Sequence, residues 1–310
     1  MINKYPAVIG IPRAMLYYRY HALWRTFFQE LGIEVLVSEP TDRDILERGT
    51  ALAIDEACLS LKIYLGHAAA LADRCDCILV PRVSNFGWHR NMCTRFEAMP
   101  DLVRNVFRDR QVQVLSYDVD VLLKKDEEDA FVDMGLRLGR SGREAKRAYK
   151  LAKKAEAAHR RAVVQKQEAL CRQKGMKILI AAHSYVAEDP CLGRTVTDYL
   201  KKAGVVPLRA DLTDREAAVK RSRELSPTCK WELNREILGG ILLREEDADG
   251  LILLSAFPCG PDAMVNEIIA RRVKGMPVLN LVLDSQSGTA GVETRLESFI
   301  DIIRFKEGTL

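Results

Sequence analysis

Along the chain, short β-branched runs alternate with longer stretches whose apolar residues recur every three or four positions, the pattern of parallel βα units. In the first half it predicts strands at 7–11, 34–38, 77–83 and 112–117. Helices are expected between them at 15–31, closed by Gly32, at 59–72, and from just after Pro100. The second half predicts strands at 177–182, 205–210, 250–257 and 277–284, with helices at 194–203, 231–246, 262–274 and 293–305.

Each half therefore carries four strand signals in a similar order, with a cysteine-bearing loop after the third. The expected fold is α/β, with two doubly wound, Rossmann-like parallel-sheet domains joined by a long helix. The domains are placed at 1–125, with Cys58 and Cys93, and at 175–310, with Cys259; a helical connector fills 126–174. Within that connector, 141–174 reads as one helix with eleven basic residues, among them Arg143, Arg147, Lys150 and Lys154, against three Glu. A solvated connecting helix is the plain reading of such a charge run. A docking surface for an acidic partner protein is the sharper one, and the absence of interleaved aromatics places nucleic acid last.

Composition adds bounds. At 310 residues, with 48% hydrophobic and 29% charged residues, the chain suits two globular domains. A formal charge of +4 does not by itself argue for nucleic acid. The opening Met1-Ile2-Asn3-Lys4-Tyr5-Pro6 has no signal-like apolar run, and no stretch reaches the roughly 18 apolar residues that span a bilayer. The expectation is a cytoplasmic protein whose eight cysteines are thiols, metal ligands or redox groups rather than disulfides.

In open parallel sheets the loops leaving the carboxyl ends of strands gather into the site. Cys93 lies in such a loop, within Asn91-Met92-Cys93-Thr94, and Cys259 in another, within Phe257-Pro258-Cys259-Gly260-Pro261-Asp262. Cys58 stands at the expected start of a helix, where thiolate is favoured. Spacing alone leaves two readings open, a shared metal site and buried inert thiols, since no C-x-x-C pair is present. Cys75, Cys77, Cys171, Cys191 and Cys229 read as structural.

Several segments together resemble a known family, the uncharacterised domain associated with activators of 2-hydroxyacyl-CoA dehydratases. They are Gly10-Ile11-Pro12-Arg13-Ala14 with Tyr17-Tyr18, Asp55-Glu56-Ala57-Cys58, the Pro-Cys-Gly-Pro-Asp turn with Asn266-Glu267, and Thr289-Ala290-Gly291-Val292-Glu293. That domain is related to dehydratase subunits and double-cubane proteins. The resemblance implies an iron–sulfur cluster (4Fe-4S or double-cubane) held by Cys58, Cys93 and Cys259. It further implies an activator-dependent dehydratase or reductase component that receives low-potential electrons from a separate ATP-dependent activator protein. Departures are Leu59-Ser60 and Thr94, where relatives often carry Pro, and 284–288, which lacks the usual Glu and His. No G-x-x-x-x-G-K-[ST] or G-x-G-x-x-G loop is present, so ATP chemistry is assigned to that separate protein.

Two further residues are candidates for catalysis at the strand ends, His183 and Arg13. Asp55 and Glu56 read as a helix cap with first-turn charge. Trp88 and His89 lie in a long loop placed to close over the site. The expectation is thus an iron–sulfur protein with a small-molecule or acyl-CoA substrate and a homodimeric state. The alternatives are an accessory cluster carrier and a metal-free α/β binding protein.

Overall fold

The computed structural model describes residues 5–110, 112–286 and 289–306. Met1–Lys4, with most of the leader reading, and Ser287 and Gly288 lie outside the described residues. The chain divides into two units, 1–161 and 162–310.

The first unit begins with β1 (Val8–Ile11), α1 (Tyr17–Glu30), β2 (Glu34–Val37), α2 (Arg43–Leu52), α3 (Leu59–Leu71) and β3 (Cys77–Leu79). It continues through β4 (Arg82–Asn85), α4 (Thr94–Val106), β5 (Val114–Leu115), β6 (Asp118–Asp120), α5 (Glu127–Arg137) and α6 (Gly142–Cys171). The division between units falls inside α6. The second unit holds β7 (Lys177–Ala181), α7 (Ser184–Ala187), α8 (Gly193–Lys202), β8 (Val206–Arg209) and α9 (Arg215–Leu225). After these come α10 (Glu232–Arg244), β9 (Gly250–Ala256), α11 (Gly260–Arg272), β10 (Val278–Leu283) and α12 (Thr289–Lys306).

Both main sheets are parallel. Their strand orders, β2-β1-β3-β5 and β8-β7-β9-β10, place each unit's strands as second, first, third, fourth. The two halves thus repeat one topology, as their strand signals predict. All seven residues of β9 are buried, as befits a strand covered on both faces. In the first unit α1 packs Leu23, Trp24, Phe27 and Phe28 inward, and Phe27 meets Phe131 of α5 edge-on at 4.9 Å. The α2 and α3 helices cross through Gly49 and Gly66. A Cβ on Gly49 would sit 1.8 Å from the Lys62 carbonyl oxygen, so only glycine fits.

Three expectations need correction. The strand expected at 77–83 is two pieces, β3 and β4, and that at 112–117 divides into β5 and the lead into β6. The hydrogen bonds nevertheless run on: Ile78, Val80 and Arg82 donate to Gln113, Leu115 and Tyr117 in turn. Pro81 falls at the alternate position whose N–H would face away from that neighbour, so its missing donor leaves the ladder intact. The third correction is α4, which starts at Thr94 and holds Pro100 in its interior; the buried stripe Phe96, Met99 and Val103 carries the helix through it. Helices α2, α7 and α9 answer to no expected element, and α5 falls inside the expected helical connector.

Candidate functional site

All three candidate cysteines occupy the same kind of position. Cys58, Cys93 and Cys259 are the N-caps of α3, α4 and α11, in extended conformation (φ −64, −63 and −76°), and none donates a side-chain cap. These helices return the chain to the starts of β3, β5 and β10, so their N-termini lie where strands finish. The Tyr64 hydroxyl, in the second turn of α3, donates to the carbonyl of Leu79 at the end of β3, which fixes that level for Cys58. Asp55 and Glu56, expected as cap and first-turn charge, instead sit exposed in the turn before Cys58, because the cap position falls to the cysteine.

In the second unit the ends of β7, β8 and β9 each deliver a polar group. His183, just after β7, donates from Nε2 to Asp262 Oδ1 at 2.8 Å. Asn234 of α10 donates to the same oxygen at 2.8 Å. The Cys259 thiol also donates to the Asp262 carboxylate. From the end of β8, Arg209 holds Asp211 and Glu188 at 2.8 Å each. His183 and Asp262 are both 5% exposed.

Burial by itself would push the Asp262 carboxyl up. The charge and hydrogen bond of His183, with those of Asn234 and Cys259, outweigh it and hold the carboxyl below its ordinary value. Burial likewise presses the His183 imidazole down, but Asp262, then Asp211 and Glu236, raise it above the ordinary histidine value. Each partner thus favours the charged form of the other. Asp262 also lies in the first turn of α11, where the helix dipole favours an anion.

Arg13 sits after β1 in the first unit, with its backbone N–H donating to Ser38 Oγ at 2.8 Å and its guanidinium over the Tyr17 ring at 5.9 Å. Ser38 Oγ in turn pairs with His67 Nδ1, and Thr41 Oγ1 with His67 Nε2, both at 2.9 Å. His67 is fully buried, and burial first, then the Arg13 charge, pushes its pKa down to about 3. It is a neutral bracket that joins α3 to the segment after β2.

Among the candidates, then, Cys259 and His183 are brought together through Asp262. Cys58, Cys93 and Arg13 stand in the other unit. Asp262, Asn234, His67 and Ser38 escaped the sequence reading. Only Asp262 carried a local signal, a carboxylate one residue after the Pro-Cys-Gly-Pro turn.

Among the described residues, no group of three or more His, Cys, Asp or Glu side chains is placed to hold a metal ion. Of the three cysteines that the resemblance implies as ligands, Cys58 and Cys93 belong to the first unit and Cys259 to the second, where its thiol meets the Asp262 carboxylate.

The family model of the CoA enzyme activase uncharacterised domain matches residues 8–212. The chain belongs to that family. Its description places the chain on the activating side of a CoA enzyme system, and this overturns the expected role as the iron–sulfur dehydratase or reductase component that receives electrons. No curated protein matches. Among solved structures, the laminin-binding protein Lbp of Streptococcus pyogenes aligns over 97% of this chain and 98% of its own, at 12% identity and a TM-score of 0.29. A likeness that low carries no argument. No helix among the described residues of this activase-family chain is long and apolar enough to cross a membrane.

Proposed function

We propose that this chain is an activator-side component of a CoA enzyme system, which docks with protein partners rather than turning over the CoA ester itself. The match of 8–212 to the activase domain carries the reading. The geometry supports it, because each cysteine-capped turn carries a large apolar residue in solvent: Ile54 before Cys58 (64% exposed), Trp88 before Cys93 (77%) and Phe257 before Cys259 (56%). Solitary exposed apolar residues are common, but one on each of three equivalent turns suits protein contact.

In this reading the nucleotide-hydrolysing protein is a separate partner, since the chain carries no Walker-type phosphate loop. Cys58, Cys93 and Cys259 are thiols presented at the strand ends, and His183 holds the turn of Cys259 through Asp262. The test is reconstitution of an ATP-dependent activase and its CoA-ester dehydratase with and without this chain. Faster activation of the dehydratase and co-elution with either protein are expected. Unchanged activation kinetics and no co-elution with either would overturn the reading.

A further inference from the structure

The α6 helix carries a line of cations that the fold does not use. Arg143, Arg147, Lys150, Lys154 and Arg161 are all exposed. At about 100° per residue they fall within an arc of about 60°, and at about 1.5 Å per residue they extend over about 27 Å. On the opposite side of the same helix Ala145, Ala148, Tyr149, Ala152 and Glu156 are buried. The line therefore points away from the packed face.

Several other charges on α6 are engaged within the fold. Lys146 pairs with Glu128 of α5 at 2.6 Å, and Lys153 with Glu127 and Glu156 at 2.7 and 2.6 Å. Glu144 caps the helix through Ser141, and Glu168 pairs with Arg244. All three glutamates of the helix are thus engaged elsewhere. None of the five cations in the line has an ion-pair partner among the described residues.

Like charges three and four residues apart on a helix repel one another, so the line works against the stability of α6. Neutralisation from outside would relieve that repulsion. Between Lys154 and Arg161 only Ala157 and Ala158 are exposed on this side, a low step that lets another backbone approach.

We propose that this face of α6 docks an acidic helix of a partner protein, one with Asp or Glu at three- and four-residue spacing along one side. A straight row of cations matches such a helix in length and repeat. Nucleic acid is disfavoured because the rings of α6 lie on the other side, Tyr149 buried and His159 edge-on to His21, leaving none in the line for base stacking. This inference rests on the protein-docking reading above and names the surface that would serve it.

The test uses the whole chain and defined probes. One is a labelled peptide of about 20 residues with Glu along one helical face and Ala elsewhere. The second has the same composition with its Glu scattered around the helix, and the third is single-stranded RNA. The variant is Arg147→Gln/Lys150→Gln/Lys154→Gln, whose helix is relieved of like-charge contacts and should melt no lower than the parent. Binding of the one-faced peptide is expected, weakening with salt and falling roughly tenfold or more in the variant. Equal binding of the two peptides, or no loss in the variant, would overturn the proposal, as would a preference for RNA. Since the assay contains no CoA enzyme, it can fail while the activator reading stands, and the reverse.

Discussion

His183 and Asp262 are 79 residues apart and share a hydrogen bond of 2.8 Å at the end of the second sheet, where both are buried. The same carboxylate collects Asn234 and the Cys259 thiol. One residue thus ties the ends of β7 and β9 and the start of α11 to α10.

Replacing that residue should be costly. Asp262→Asn removes the carboxylate that holds His183, Asn234 and Cys259 together, and breaking such a buried pair costs up to about 3–5 kcal/mol. Urea denaturation followed by circular dichroism measures it; a loss below about 1 kcal/mol would mean that the site relaxes or admits water.

The two buried histidines predict opposite pH limbs. His183 is raised in the folded state, so its contribution is complete below about pH 6.5 and is lost as pH rises through the raised value. His67 is depressed to about 3, so the unfolded chain takes up a proton that the folded chain refuses. Acidification below about pH 6.5 should therefore remove on the order of 1 kcal/mol per pH unit from the first unit. In a stability–pH profile, His67→Gln should flatten the acid limb and His183→Gln the alkaline one. Identical profiles for the parent and both variants would contradict these assignments.

Thiol reactivity should sort by placement. Burial pushes the Cys77 thiol up to about 12, and Cys75 is also raised by burial. Cys93 is only partly buried and stands at a helix N-terminus. Iodoacetamide at mildly alkaline pH, read by peptide mass spectrometry, should label Cys93 well before Cys77.

The crossing of α2 with α3 should not accept a methyl group. Gly49→Ala would drive its Cβ into the Lys62 carbonyl, and the forced separation should cost about 3 kcal/mol. Thermal melting would show it; an unchanged midpoint would mean that the helices part freely.

Trp88 separates docking from folding. It is 77% exposed, so Trp88→Ala should leave the melting midpoint nearly unchanged. If its turn meets a partner, the same change should weaken co-elution by about 2 kcal/mol, the scale of an interfacial tryptophan. Equal affinity of parent and variant would remove this turn from the interface.

Much of this was legible locally. Alternation of strand and helix periods sets which segments are strands, and a β-strand or helix repeats at a spacing fixed by its own backbone. The same reason made the basic row of α6 visible in 141–174, and the positions of Cys58 and Cys259 ahead of helices could be read from the helical pattern that follows each. The family resemblance was also in the sequence, but the side of the system it served was not, because shared motifs report descent rather than role.

The tertiary structure alone decided the partnerships. Asp262 looked like one more first-turn carboxylate until topology set His183 and Asn234 against it. His67 looked like any helical histidine until the segment after β2 brought Ser38 and Thr41 to its two nitrogens. Charge state inside a protein depends on what surrounds a group in space. For these residues that surrounding arrives from other strands and helices, which no local period encodes.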